Sequence, residues 1–109
     1  VAPTSRREKI EAMLADDPQD TFLRYSLAME LQKEEDHQRS LAILRELMQE
    51  DPAYVPAFLM AGQQLTQLGR IEQARGALRE GIEHARTQGN DHAAGEMSEF
   101  LAGLGQHGE

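Results

Sequence analysis

The sequence predicts an all-α fold, a stack of three helical hairpins, and three observations carry that prediction. Apolar residues recur three and four apart along the chain and alternate nowhere, so helices are expected and strands are not. Capping residues and helix-breaking Pro or Gly then punctuate the chain at short intervals, dividing it into six helices with brief connections. The third observation is self-similarity. Asp17-Pro18 recurs 34 residues later as Asp51-Pro52, and the helices before the two dipeptides align residue for residue.

Each element has its own local warrant. Ser5-Arg6-Arg7-Glu8 has the Ser-x-x-Glu form of a capping box, and Ile10, Met13 and Leu14 supply the apolar stripe behind it. That first helix ends at Asp16-Asp17-Pro18, because a residue before proline is pushed away from helical geometry. Asp20 caps a second helix reaching about Lys33, with Leu23, Leu27 and Leu31 four apart. Asp36 caps a third, which carries Leu41, Leu44, Leu47 and Met48 and stops by Asp51-Pro52. Pro56 suits the first turn of a fourth helix, with Phe58, Ala61, Leu65 and Leu68 on one face and Gly69 at its end. A fifth runs from about Ile71 to Arg86 on Ala74, Leu78 and Ile82. After Gln88-Gly89-Asn90-Asp91, a sixth carries Ala93, Met97, Phe100, Leu101 and Leu104.

The repeat fixes equivalences between these helices. Ile10, Leu44 and Leu78 share one place and Leu14, Met48 and Ile82 another; Leu31 aligns with Leu65, and Ala28 with Gly62. Residues 55–86 read Phe58-x2-Ala61-Gly62-x2-Leu65 and then Ala74-x3-Leu78. Residues 21–52 read Arg24-x2-Leu27-Ala28-x2-Leu31, then Ser40-x3-Leu44 and Pro52. This resembles the tetratricopeptide repeat (TPR), whose 34-residue pattern is W-x2-L-G-x2-Y, then A-x3-F, then P. The resemblance implies a right-handed superhelical stack of paired helices. One TPR-like domain is expected over 1–104: a half-repeat at 5–18, full repeats at about 21–52 and 55–86, a C-terminal cap helix at 91–104, and a tail at 105–109. Ala28 and Gly62 would let the two helices of each hairpin approach closely. The chain departs from the family pattern in three places. Arg24 replaces an aromatic residue, Glu35 stands where Gly69 ends the equivalent helix, and Arg86 falls where a third proline would stand. A two-residue insertion in the last loop aligns Leu101, Leu104 and Gly105 with Leu65, Leu68 and Gly69.

Composition narrows the function. With no cysteine, disulfides, thiolate metal sites and cysteine nucleophiles are excluded, and a cytoplasmic location is expected. A formal charge of −8 opposes nonspecific binding to nucleic acid and to anionic membranes. No apolar run is long enough for a membrane span, and the start of the chain lacks a signal-peptide core. His37, His84, His92 and His107 form no His-x3-His or His-Glu-x-x-His pair, so no metal and no cofactor is expected. Asp16-Asp17 and Glu50-Asp51 recur at the repeat period beside proline, which marks them as helix ends rather than catalytic carboxylates. Arg75, Arg79 and Arg86 gather on one side of the fifth helix, where Glu72 and Glu83 are spaced to pair with Arg75 and Arg79. No catalytic residue is assigned, and an enzyme is not expected.

The second helix points to a binding function instead. Beside its core stripe, Phe22, Tyr25 and Met29 make a second apolar face about 90° or more away. The repeat places Leu59 at the position of Tyr25, and Gln63 at that of Met29. The resemblance implies that this face of each first helix lines a concave groove accepting a peptide or amphipathic helix. Members that clamp acidic chaperone tails use Lys, Arg and Asn there, so an apolar or amphipathic ligand is expected here, held with little sensitivity to salt. The expected function is thus a non-enzymatic protein-binding scaffold or adaptor, with Phe22, Tyr25, Met29, Leu59 and Gln63 as its groove. The alternative is self-assembly, with a second copy on the same face or on an exposed end of the stack; the sixth helix could also cover these side chains.

Overall fold

The computed structural model describes residues 5–105. Six helices follow one another: α1 (Arg6–Asp16), α2 (Thr21–Lys33), α3 (His37–Met48), α4 (Pro56–Gln67), α5 (Ile71–Thr87) and α6 (Asp91–Leu104). No strand occurs among the described residues, so the all-α class holds. Residues 1–4 of the expected domain, residues 106–109 of the expected tail and His107 lie outside the described residues.

The ends of the helices follow local chemistry. Ser5 Oγ accepts from the Glu8 amide at 3.1 Å, and the Glu8 carboxylate accepts in return from the Ser5 amide, completing the capping box. Asp20 accepts from the Leu23 amide at 2.8 Å, Asp36 from the Arg39 amide at 3.3 Å, and Asn90 from the Ala93 amide at 3.1 Å. Pro56 occupies the first turn of α4, where its missing N–H costs nothing. Three turns close in the same way, each with one residue in the left-handed region: Glu35 (φ 63), Gly69 (φ 77) and Gly89 (φ 75). In each, the next amide reaches back to a carbonyl of the preceding helix: Asp36 to Leu31 at 2.9 Å, Arg70 to Leu65 at 2.8 Å, Asn90 to Ala85 at 2.7 Å. Glu35 therefore does adopt the conformation of its glycine counterpart, despite its side chain.

The chain divides into two compact units, 1–47 and 48–109. In the first, Ile10 of α1 and Leu27 and Leu31 of α2 form a buried cluster, with Leu14 and Ile43 packed against it. Met13, expected on the same stripe, is instead half exposed, at 50%. Ser40 Oγ donates to the Ala28 carbonyl at 2.7 Å, joining α3 to α2 at the small-residue position. A surface network binds α1 to its neighbours. Arg7 reaches Glu34 at 2.9 Å and Glu11 at 2.7 Å, and Arg39 reaches Glu11 at 3.5 Å. The hydrogen bond from Arg7 to Glu34, with the charges of Glu34 and Glu11, raises the guanidinium pKa above its ordinary value. Glu30 is buried yet satisfied, meeting Arg6 at 3.2 Å and Lys33 at 3.1 Å.

The second unit is held by close packing. A β-carbon placed on Gly62 would lie 2.7 Å from Leu78 Cδ2, so hydrogen at that position is what lets α4 and α5 meet. Gly81 is tighter still: a β-carbon there would collide with Phe58 Cβ and lie 2.5 Å from Met97 Sδ. Phe58 is fully buried, and His84 stacks on its ring at 5.2 Å between centroids. Burying a side chain of that size contributes about 1.5–3 kcal/mol. Two side chains tie the edges of the unit to backbone: Gln88 donates to the Ala53 carbonyl and Arg75 to the Leu104 carbonyl, each at 2.9 Å. On α6, the buried Ala94 and Met97 fall at the places of Phe58 and Ala61 once the two-residue insertion is applied. Gly105, by contrast, has φ −58 and does not repeat the left-handed turn of Gly69.

Candidate functional site

The five residues expected to bind a partner are divided between the units. In the first, α2 begins just after its Asp20 cap, which sets Phe22 in the opening turn and leaves it 66% exposed. Tyr25 and Met29, one and two turns on, are half-buried, while Leu27, Ala28 and Leu31 on the other face are buried. The split follows from helical spacing, because residues three and four apart share a face. Arg24, beside them, keeps its side chain 14% exposed and places its guanidinium 3.6 Å from Glu46 of α3. Its stem thus snorkels along the hairpin where the repeat pattern asks for an aromatic ring.

In the second unit, α4 presents Leu59 half-buried and Gln63 exposed. The two line an open cleft of about 330 Å³ whose other wall is α6, through Glu96, Glu99 and Phe100. The sixth helix flanks this pair rather than sealing it. An adjoining cleft of the same size runs along α6 past Asp91, His92 and Gly95, sharing Glu96 and Glu99. His92 Nε2 lies 3.4 Å from Glu96 Oε1. The α6 wall thus adds two carboxylates, Glu96 and Glu99, beside the uncharged Leu59 and Gln63. Residue Glu99 was legible in principle, since the insertion that aligns Leu101 with Leu65 also places Glu99 at the position of Gln63.

The arginine side of α5 resolves differently. Arg75 pairs with Glu72, as its spacing predicts, and is further committed to the Leu104 carbonyl. Arg79 and Glu83 make no ion pair among the described residues, contrary to the spacing argument. Both line a separate cleft of about 550 Å³, in which Arg79 and Arg86 are mixed with Glu80 and Glu83. Among the described residues, no group of three or more His, Asp or Glu side chains is arranged to hold a metal, and no helix is long and apolar enough to cross a membrane.

Known proteins share this fold. Residues 31–96 match the tetratricopeptide repeat. A TPR repeat-containing protein of Pseudomonas aeruginosa is 30% identical over 97 residues, covering 89% of this chain and 92% of its own. A Bordetella parapertussis protein solved in solution superposes with a TM-score of 0.81 at 28% identity, covering 96% of this chain and 91% of that one. The tetratricopeptide repeat domain protein of Salinibacter ruber, solved by NMR, gives 0.75 at 33% identity over 80% of this chain and 88% of its own. Proteins of this family are in general non-enzymatic modules that bind other proteins. With the 34-residue period, the paired helices, the close approach at Gly62 and the match over most of its length, the chain belongs to the tetratricopeptide repeat family.

Proposed function

We propose that this protein is a cytoplasmic adaptor that binds a peptide or amphipathic helix of another protein, without catalysing a reaction. Phe22, Tyr25 and Met29 serve this role on the first unit, and Leu59 and Gln63 on the second. The observation that supports the reading is that these side chains, aligned by the repeat, lie off the core stripe and remain accessible, with Leu59 and Gln63 opening into a cleft. Aromatic and Met side chains suit an adaptable binding surface, because they supply large contact area with little polar cost. Replacing Tyr25, Met29 and Leu59 together by Ser should leave the melting transition within a few degrees. Capture of a partner from the source cell should fall sharply, since anchors of this kind are worth about 1–2 kcal/mol or more each. A triple variant that unfolds would assign the face to the core. One that folds and captures the same partner undiminished would place binding elsewhere.

A second reading is favoured by the exposure of Phe22 and Met13 on the first unit: self-assembly through that surface. Light scattering separates the two, because an adaptor stays monomeric at micromolar concentration and a self-assembling unit does not.

A further inference from the structure

We propose that the α4/α6 cleft selects a cationic partner: a segment that places one apolar side chain against Leu59 and Phe100 and a Lys or Arg beside Glu96 and Glu99. The inference rests on the interaction-module reading above and deepens it.

The argument is one of charge complementarity. α4 carries no charged residue at all, and α6 carries Asp91, Glu96 and Glu99 with no Lys or Arg. Every formal charge these two helices bring to the cleft is therefore negative, apart from the titratable His92 beside Glu96. The arginines that might neutralise this wall are on or beside α5. Arg70, exposed just before α5, does not line the cleft; Arg75 is held by Glu72 and the Leu104 carbonyl, while Arg79 and Arg86 line the other cleft among their own carboxylates. Glu96 and Glu99 are exposed and make no ion pair with Lys or Arg among the described residues. Leu59 and Phe100 are half-buried and supply the apolar floor, and Gln63 adds an uncharged donor and acceptor at the rim. An acidic segment would meet like charge here, and a purely apolar one would leave both carboxylates unmatched.

The test is a selection from a random linear-peptide library against the intact protein. Enriched peptides should combine an aromatic or aliphatic residue with Lys or Arg. A synthetic representative should shift the NMR amide signals of Leu59, Gln63, Glu96, Glu99 and Phe100, and weaken steeply as salt rises. It should lose about tenfold in affinity for the Glu96→Gln/Glu99→Gln protein, a change at two exposed positions that circular dichroism should show to be folded. Selection against Glu96→Lys/Glu99→Lys should reverse the preference toward acidic peptides.

Peptides that need Leu59, losing affinity for Leu59→Ser, yet show no excess of Lys or Arg and bind the Gln variant equally would overturn the charge selection alone. Peptides that ignore Leu59→Ser and map elsewhere, or no enrichment at all, would overturn the binding surface itself. A dimer that dissociates on Leu59→Ser would give the cleft to a second copy of the chain and overturn the proposal.

Discussion

Arg24 in the first unit and Phe58 in the second occupy the same place in the repeat, and their surroundings show two ways of filling one position. Phe58 is wholly buried, and the place that Leu47 fills on α3 is held on α5 by Gly81, which has no β-carbon to strike the Phe58 side chain. Arg24 needs no such concession: its stem lies along the hairpin and its charge reaches Glu46. The first unit adds ion pairs from α1 to α2 (Arg6–Glu30) and to α3 (Glu11–Arg39), while the second adds the stacked His84 ring and a second close contact at Gly62. A repeat therefore conserves the geometry of a hairpin more strictly than the chemistry that fills it. Exposed ion pairs contribute about 0–1 kcal/mol each, so a packing fault should cost the second unit more than a lost charge costs the first.

The largest expected effect is at Gly81. Replacing it by Leu drives a side chain into Phe58 Cβ, which is fixed to the backbone of α4 and cannot swing away. A loss of about 3 kcal/mol or more is expected in urea unfolding. Phe58→Ala keeps Cβ but removes Cγ, 2.9 Å from a β-carbon on Gly81, and the ring beyond it, so adding it to that variant should cost less than it does in the parent, a coupling that double-mutant analysis measures directly. Strict additivity of the two changes would break the comparison.

Gly62→Leu should come next, at about 1–3 kcal/mol, because the clash there is with the movable end of Leu78. Its helicity near freezing should stay close to that of the parent, and an unchanged melting temperature would contradict the close approach of α4 and α5.

The smallest change is favourable. Glu35 holds a left-handed conformation that glycine adopts freely at the equivalent Gly69. Relieving that strain is worth about 1–2 kcal/mol, and the greater freedom of glycine in the unfolded chain returns roughly half of it. Glu35→Gly should thus raise stability by up to about 1 kcal/mol, seen as a higher melting temperature. A fall would mean that the side chain stabilises the first unit in a way its turn geometry does not reveal.

Much of this molecule was legible in the sequence because the interactions concerned are local. The capping box at Ser5, the caps at Asp20 and Asp36, the proline at the start of α4 and the turn at Gly69 each join residues within one helical turn, and each forms as expected. The family was legible through the period of Leu31/Leu65 and Ala28/Gly62, which reports a packing constraint applied twice. Tertiary structure alone decided whatever depends on atoms distant in the chain. The exposure of Met13, the reach of Arg24 to Glu46 and the commitment of Arg75 to Leu104 turn on which neighbour another helix supplies. Nothing in the spacing of the sequence singles out Gly81; the fold does, by bringing Phe58 and Met97 against it. Glu96 and Glu99, likewise, became the wall of a cleft only when α6 came to lie beside α4, because spacing along one helix gives the direction of a side chain but not what stands opposite it.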